Sequence, residues 1–347
     1  MSDAHLVPVL ANHRFDEAAL VRYLRGKLPG FDGDVKVRQF QGGQSNPTFH
    51  IATPAGNYVL RKKPPGKLLP SAHAVDREFA VMKALGASGV PVPGMRLLCD
   101  DDAIIGQMFF VMDHVEGRVF NDRLLPGCTV AERAAMYDET ARVLALLHAV
   151  DYRAVGLESF GKPQGYIARQ VSRWAKQYEA SKVEENAAMD NLVVWLNKNL
   201  PATDENSIVH GDYRIGNLMF HPTEPKVVAV LDWELATLGH PLSDLGYCCI
   251  AWHSPPGEAL GLAGTNYREL GIPDEAGFLA AYKAHGGRPL AHWDFFLIFS
   301  MFRSAAIRAG VYRRALDGNA ADAKGLEIGG AYRSLAERAW ALVQERS

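Results

Sequence analysis

Three oxygen-bearing side chains are spaced in a way that suits the transfer of a phosphoryl group. Asp212 and Asn217 stand five residues apart in a polar loop, and Asp232 ends a later apolar run. One carboxylate can accept the proton of an attacking hydroxyl, while a carboxylate and an amide oxygen can hold Mg²⁺ on the phosphates of ATP. The pattern therefore indicates phosphorylation of a hydroxyl group.

A hairpin is predicted to bring these three side chains together. The segment 209–220 contains the polar loop, and a turn at His221-Pro222 leads to the apolar run 227–231 before Asp232. Two apolar strands flank the loop, and their pairing as a hairpin would place the three side chains at one edge. The Asp-x-x-x-x-Asn spacing matches a kinase catalytic loop, and the strand-end Asp takes the place of the metal-binding Asp. Arg214 lies two residues past Asp212, so its permanent cation can offset charge on the transferred group.

The first third of the chain predicts an antiparallel sheet. Short alternating runs broken by glycine and proline turns are typical of hairpins. The predicted strands are residues 35–40, 48–52, 58–62 and 109–112. Apolar periodicity predicts a lead-in helix at 16–28 and a second helix at about 72–88, which Gly89 and two prolines end. The acidic triplet at 100–102 is interpreted as a hairpin tip.

Glu78 is predicted to lie on the buried side of the second helix, between two apolar positions of its stripe. A buried carboxylate without a partner costs on the order of several kcal/mol, so a cation is expected opposite it. Arg61 is the preferred partner, because strand residues alternate between faces and one cation of the run must face the helix. Lys62 and Lys63 are the alternatives if the register differs.

Two backbone segments are candidates for nucleotide contact. The loop that contains Gly42, Gly43 and Ser45 can bring N–H groups close to phosphates because glycine lacks a Cβ, although the same residues suit a plain hairpin turn. Where the last predicted strand ends, backbone groups of Asp113 and Val115 could bind an adenine edge.

After Gly117 the pattern becomes mostly helical, with a strand-rich island at 208–233. The periodic segments are 130–148, 165–180, 187–199, 276–285, 294–316 and 330–345. We therefore predict a bilobal α+β chain, with an antiparallel-sheet N-terminal lobe at 1–116 and a larger helical C-terminal lobe at 117–347. The cleft between two lobes is the natural place for ligands.

The composition is that of an ordinary globular protein. The 347 residues include 37 Lys+Arg and 39 Asp+Glu, and the net charge of -2 indicates neither a nucleic-acid binder nor an acidic tail. The 4 cysteines show neither metal spacing nor a disulfide framework, which favours a reducing compartment. The N-terminal apolar run lacks the features of a signal peptide, and the apolar stretches fall short of the roughly 20 residues that cross a bilayer. We expect a cytoplasmic protein without a membrane or nucleic-acid partner.

Several other polar residues have structural interpretations. His210 is expected to pack under the polar loop rather than act as a base, and His148 to hydrogen-bond a backbone group. Arg303 and Arg314 share a stripe of the helix near 294–316, where a solvated flank is favoured over contact with a substrate carboxylate or phosphate. P-loop, zinc-protease and hydrolase motifs are absent from the sequence.

These motifs resemble the aminoglycoside phosphotransferase and choline-kinase branch of the protein-kinase-like fold. The resemblance is carried by His210-Gly211-Asp212 with Asn217, and by Leu-Asp-Trp-Glu at 231–234. Further segments are similar to the phosphotransferase domain fused to some acyl-CoA dehydrogenases, namely 58–66, 76–79, 210–214 and 239–245. The resemblance covers about residues 35–320.

The resemblance implies a kinase of a small molecule that uses ATP and Mg²⁺. It implies that Asp212 is the catalytic base, that Asn217 and Asp232 are the magnesium ligands, and that Asp244 hydrogen-bonds the backbone of the catalytic loop. In the fused relatives the acceptor is thought to be a hydroxylated fatty acyl-CoA. A CoA thioester or a hydroxy acid is therefore the expected acceptor here, with a functional link to an acyl-CoA dehydrogenase.

Two alternatives stay open. The glycine loop lacks the usual kinase spacing and an arginine stands where kinases keep a strand lysine, which suits a non-catalytic module that binds a nucleotide or a partner. An antibiotic kinase of the aminoglycoside type needs a strongly acidic acceptor site, whereas the helices at 165–205 balance lysines with glutamates.

Overall fold

Two compact units account for the packing of the chain. This computed structural model describes residues 6–41, 46–66, 73–202, 205–256, 258, 261–318 and 324–346. Unit 1 comprises Met1–Val119 together with Leu218–Ala236, and unit 2 comprises Phe120–Asn217 together with Thr237–Ser347. The polar loop that contains Asp212 and Asn217 therefore belongs to unit 2, whereas Asp232 belongs to unit 1.

Unit 1 is built on a six-stranded antiparallel sheet in the order β1-β2-β3-β4-β6-β5. Its strands are β1 (Leu6–Val7), β2 (Lys36–Phe40), β3 (Thr48–Thr53), β4 (Gly56–Lys62), β5 (Met95–Cys99) and β6 (Phe109–Asp113). The four predicted strands are confirmed as β2, β3, β4 and β6, and the sequence patterns missed β1 and β5. Aromatic and aliphatic side chains of this sheet, such as Phe49, Leu60 and Phe109, form a fully buried core.

Three helices pack with this sheet: α1 (Glu17–Leu24), α2 (Val75–Leu85) and α3 (Asp102–Ile105). The first two were predicted. The acidic triplet lies, as predicted, in the connection between two paired antiparallel strands, β5 and β6. That connection also contains α3, which Asp101 caps by accepting a hydrogen bond from the Ala103 N–H at 2.9 Å. The cap gives the Asp101 carboxylate a backbone partner that an open tip would leave to water.

The predicted hairpin is present in unit 1. Strands β9 (Leu218–Phe220) and β10 (Val227–Val230) pair antiparallel, with Leu218 opposite Val230, and β7 (Arg118–Val119) pairs with the other edge of β9. Asp232 lies two residues after Val230, the last paired residue of β10, and its backbone is left-handed, with φ 65° and ψ 61°. A non-glycine residue in that region is uncommon, Asp is among the residues that adopt it most readily, and such residues cluster at functional sites.

Unit 2 is helical apart from the two-stranded ladder of β8 (Ser207–Val209) and β11 (Thr237–Gly239). Its helices are α4 (Val130–Ala149), α5 (Tyr166–Ser181), α6 (Ala187–Lys198), α7 (Leu242–Cys249), α8 (Glu275–Ala284), α9 (Trp293–Leu316), α10 (Gly325–Gly330) and α11 (Tyr332–Arg346). Every long periodic segment predicted from the sequence forms a helix, and among the described residues of unit 2 periodicity missed the two short helices α7 and α10.

Helix α9 is the central helix of unit 2. By length and composition it is apolar enough to cross a membrane, but 78% of its most apolar stretch is buried inside the protein, as in the core helix of a globular fold. Among the described residues it is the one helix of this kind. Gly246 of α7 packs directly on it, since a Cβ there would lie 2.7 Å from the Phe296 carbonyl oxygen. This close approach fixes α7, and with it Asp244, against α9.

Candidate active site

The polar loop between β8 and β9 carries a connected group of side chains. The amide nitrogen of Asn217 donates to the Asp212 carboxylate at 2.7 Å and to the Asp212 carbonyl oxygen at 2.8 Å. The Nε of Arg214 lies 3.4 Å from the same carboxylate. The Asp212 side chain is 21% exposed, which leaves room for a reacting hydroxyl. Unit 2 thus positions one accessible carboxylate with an amide and a cation beside it.

Asp244 on α7 holds the backbone of this loop. Its carboxylate accepts hydrogen bonds from the N–H groups of His210 at 2.6 Å and Gly211 at 2.8 Å. Burial opposes its ionisation, but His148 at 3.6 Å, His210 and the Gly211 N–H together keep the pKa of Asp244 below its ordinary value. Asp244 therefore acts as a buried, ionised anchor, as the resemblance implied.

A second anchor comes from helix α9. Arg303 is buried, and its Nη2 donates to the Gly211 carbonyl oxygen at 2.8 Å. Its guanidinium also lies 5.5 Å from the ring centroid of Trp174 and 5.6 Å from that of Tyr247. The interpretation of Arg303 as a solvated flank is wrong, because the loop carbonyl and two aromatic faces replace water around the cation.

The two histidines near the loop have structural partners. His210 is fully buried, and its Nδ1 accepts from the Asp212 N–H at 3.2 Å, in agreement with a packing role. His148 pairs through Nδ1 with the Tyr282 hydroxyl at 2.8 Å, so the expected backbone partner was wrong. The chain supplies a side-chain partner from α8 that no local pattern indicates.

In unit 1 a single guanidinium meets three carboxylates. Arg61 lies 2.9 Å from Glu78, 2.9 Å from Asp232 and 3.9 Å from Glu234. Burial disfavours the charge, yet these carboxylates raise the pKa of Arg61 above its ordinary value. Glu78 is 2% exposed, and burial raises its pKa to about 7 even though Arg61 opposes that shift. The predicted ion pair is therefore formed by Arg61, and it also includes Asp232.

The two alternative cations lie elsewhere. Lys62 is buried on the other face of β4, where its Nζ donates to the Gln107 side chain at 3.0 Å, and burial lowers its pKa. Lys63 follows the strand, and its backbone N–H donates to the Met108 carbonyl oxygen at 3.1 Å. Strand alternation, as predicted, separates Arg61 from Lys62.

The proposed nucleotide-contact segments are only partly described. Asp113 ends β6, its N–H donates to the Gly94 carbonyl oxygen at 2.9 Å, and its carboxylate forms a bidentate pair with Arg96 at 2.7 Å and 2.8 Å. Val115 lies just beyond that strand end, half-buried. Gly42, Gly43 and Ser45 lie outside the described residues, so their predicted contact with phosphates stays a prediction.

Comparison with known proteins decides the family. Residues 36–293, which are most of the chain, match the model of the phosphotransferase enzyme family. The chain belongs to this phosphotransferase family. It is 47% identical over 321 residues to acyl-CoA dehydrogenase family member 11 of Rattus norvegicus, an alignment that covers 90% of this chain and 41% of that protein. The chain thus spans about two fifths of the length of this relative.

Solved structures agree with the phosphotransferase family. A Ralstonia eutropha protein provisionally named an aminoglycoside phosphotransferase has a TM-score of 0.88 and 49% identity, over 96% of this chain and 99% of that one. Choline kinase from Cryptosporidium parvum shares the fold at a TM-score of 0.64 and 11% identity, over 95% and 97% of the two chains. A thermostable mutant of an aminoglycoside phosphotransferase, solved with AMP-PNP and hygromycin B, also shares the fold. Its TM-score is 0.56 and its identity 17%, over 93% of this chain and 98% of that one. The predicted kinase-like α+β fold is confirmed.

The donor atoms of Asn217 and Asp232 suit a hard cation. Among the described residues, no three His, Cys, Asp or Glu side chains form a preassembled metal site. The Asn217 amide nitrogen is bonded to Asp212, which leaves its oxygen as the ligand atom. Asp232 offers a carboxylate that is 37% exposed. Oxygen donors of this kind fit Mg²⁺, which in kinases also takes phosphate oxygens and water as ligands.

Proposed function

We propose that the chain is an ATP- and Mg²⁺-dependent phosphotransferase that acts on a hydroxyl group of a small molecule. The observation that carries this proposal is the Asp212 carboxylate, 21% exposed, held by Asn217 at 2.7 Å on a loop whose backbone is bonded by Asp244. Membership of the phosphotransferase enzyme family supports the reaction class. A kinase-like fold alone would not support a reaction class, because one fold serves many functions.

In the proposed reaction Asp212 accepts the proton of the acceptor hydroxyl as its oxygen attacks the terminal phosphorus of ATP. The new P–O bond forms while the bond from that phosphorus to the bridging oxygen breaks, and ADP leaves. Arg214, 3.4 Å from Asp212, stabilises negative charge on the transferred group. Asn217 and Asp232 would hold Mg²⁺, which neutralises charge on the phosphates.

The nucleotide-binding residues belong to the same proposal. Arg61, fixed by Glu78, would contact a phosphate, and the loop of Gly42, Gly43 and Ser45 would cover the phosphates. The backbone at Asp113 and Val115 would contact the adenine. These roles are supported by the positions of Arg61 on β4 and of Asp113 at the end of β6.

For the acceptor we favour a hydroxyacyl-CoA or a hydroxy acid. The support is the identity of 47% to a protein named for acyl-CoA dehydrogenase, whose longer chain suggests a functional link between the two activities. A cytoplasmic location, without membrane or nucleic-acid partner, is proposed with it. The four free cysteines support the location, and the balanced charge supports the lack of a nucleic-acid partner.

A non-catalytic nucleotide-binding module is the second candidate. One specific observation favours it, since Arg61 lies 2.9 Å from Asp232 and competes with a metal ion for that carboxylate. Such a module would bind ATP without magnesium and would turn it over with no acceptor. An antibiotic kinase has less support, because the helices α5 and α6 carry no acidic excess.

The test compares Mg-ATP consumption by the wild type and by Asp212→Asn over a panel of hydroxy acids, hydroxyacyl thioesters and aminoglycosides. We expect a loss of about 10²-fold or more in kcat for the variant, with nucleotide binding retained in calorimetry. Asp138→Asn, which removes an exposed partner of His285, is the matched control and should behave as the wild type. Equal turnover in wild type and Asp212→Asn would remove Asp212 from the mechanism.

A further inference from the structure

The peptide group that joins Gly211 to Asp212 is held at both of its polar atoms. Its carbonyl oxygen accepts from Nη2 of Arg303 at 2.8 Å, and its N–H donates to Nδ1 of His210 at 3.2 Å. The next carbonyl oxygen, that of Asp212 itself, accepts from the Asn217 amide at 2.8 Å. A backbone fixed on both sides of a Cα limits the rotamers of the side chain, so these bonds decide where the Asp212 carboxylate points.

Arg303 is the member of this set that comes from a distant element. It lies on α9, 92 residues beyond Gly211 in the chain, and is 9% exposed. Its guanidinium lies 5.5 Å from the ring centroid of Trp174 on α5 and 5.6 Å from that of Tyr247 on α7. Two aromatic rings restrict the positions that the cation can take, so the donor is held ready for the Gly211 carbonyl oxygen.

Stability alone does not account for an arginine at this position. The Nε of Arg303 is buried and has no hydrogen-bond partner among the residues that the structure describes. A buried N–H without an acceptor lowers stability, and an apolar side chain of similar length would avoid that cost. An apolar side chain could not donate to the Gly211 carbonyl oxygen. The bond to the loop therefore explains this arginine better than the packing of α9 does.

Tyr247 brings a second neighbour of Arg303 close to the proposed base. It follows Asp244 by three residues and so shares a face of α7 with the carboxylate that accepts from the Gly211 N–H at 2.8 Å. Burial raises the pKa of Tyr247, and the charge of Asp212 raises it further, while the charge of Arg303 lowers it. The ring beside the guanidinium is thus also near Asp212.

We infer that Arg303 is a positioning residue: through the Gly211 carbonyl oxygen it orients the Asp212 carboxylate toward the acceptor hydroxyl, and Trp174 keeps its guanidinium in place. The inference rests on the proposed phosphotransferase function and adds to it a residue that acts through the loop. A base misplaced by about 1 Å can cost about 10²-fold in rate. Loss of Arg303 should therefore lower kcat and leave KM for ATP unchanged, because the lost bond leads to the base and not to the residues proposed for the nucleotide.

The experiment measures kcat, KM for ATP and thermal unfolding of the full chain with Mg-ATP and the best acceptor of the panel of hydroxy acids, thioesters and aminoglycosides. Arg303→Met removes the donor and keeps the length, and we expect kcat to fall by about tenfold to 10²-fold. Arg303→Lys retains a charged donor and should recover part of that loss. Arg313→Met, at an exposed position of α9 paired with Asp317, is the matched control. A fall in kcat that only follows a loss of folded protein would overturn the inference.

A double-mutant cycle tests the role of Trp174. Trp174→Leu should lower kcat by about threefold in the wild type, because the guanidinium loses one of its aromatic faces. The same substitution should have no further effect on kcat in the Arg303→Met background, since Trp174 acts on the loop through Arg303. Equal effects in the two backgrounds would contradict this order of contacts.

A readout that needs no turnover separates this inference from the proposed function. Amide hydrogen exchange of residues 207–217 reports how firmly the loop is held, and we expect Arg303→Met to speed it about tenfold and Arg313→Met to leave it unchanged. If exchange rises in this way while the wild type phosphorylates no acceptor, Arg303 holds the loop and the kinase proposal fails. If the wild type phosphorylates an acceptor and Arg303→Met keeps its kcat, the kinase stands and this inference is wrong.

Discussion

Arg61 shows how one residue couples a buried ion pair to a proposed metal ligand. Its guanidinium is 15% exposed and faces the carboxylates of Glu78, Asp232 and Glu234. One positive charge cannot neutralise three negative charges, and the raised pKa of Glu78, about 7, reflects that imbalance together with burial. A cation bound at Asp232 would relieve the imbalance, which fits a site completed by magnesium.

The first prediction concerns Arg61→Ala. We expect a loss of about 3–5 kcal/mol in the free energy of unfolding, because Glu78 is left buried without a cation. Urea denaturation measures this loss, and Glu78→Gln in the same background should recover part of it. Arg96→Ala, which removes the exposed pair with Asp113, is the control and should cost less than about 1 kcal/mol. Equal losses for the two arginine variants would contradict the ion-pair argument.

At the residue scale, the contacts that could be predicted are those set by local geometry. Helix phase placed Glu78 on the buried side of α2, and strand alternation placed Arg61 opposite it. Arg303 was missed because its contact with Gly211 joins residues 92 positions apart.

At the scale of elements, two helices hold one residue of the loop that carries Asp212. Asp244 of α7 accepts from the Gly211 N–H, and Arg303 of α9 donates to the Gly211 carbonyl oxygen. Gly211 has a φ of 84°, a conformation that glycine adopts more readily than residues with a Cβ. The loop is therefore ordered by long-range contacts, while its sequence supplies only the reactive groups. Strand and helix positions, by contrast, followed from periodicity in most of the chain.

The second prediction concerns Asp244→Asn. An amide can accept one of the two loop N–H groups but presents its own N–H to the other, so we expect a loss of about 3 kcal/mol in stability and a lower kcat. The wild-type contribution is present above the ordinary aspartate pKa and is lost as pH falls through the lowered pKa of Asp244. Asp317→Asn, which removes an exposed ion pair with Arg313, is the control and should keep the wild-type stability and kcat. Unchanged kcat and stability in Asp244→Asn would show that the loop needs no anchor.

At the scale of the whole molecule, the division into a sheet-rich and a helical part was predictable from the change in sequence texture after Gly117. The packing of Leu218–Ala236 with the first 119 residues was not, because a short hairpin gives no signal of which neighbours cover it. The charge balance of 37 basic against 39 acidic residues indicates a small net field. A charged ligand must then be bound by local groups rather than by the net field of the chain.

The stability of the whole chain should fall in mild acid because of His240. Burial lowers the pKa of this histidine to about 4, and His148 and His292 act in the same direction, although Glu205 lies 3.9 Å away. The unfolded chain takes up the proton near pH 6.5, so stability is complete above that pH and decreases as pH falls toward 4, by up to about 3 kcal/mol. Urea denaturation across this range should show a smaller decrease for His240→Asn. The lost stacking on Phe296 lowers stability at every pH and therefore cancels from the slope. Identical slopes for the two proteins would mean that His240 is protonated in the folded chain.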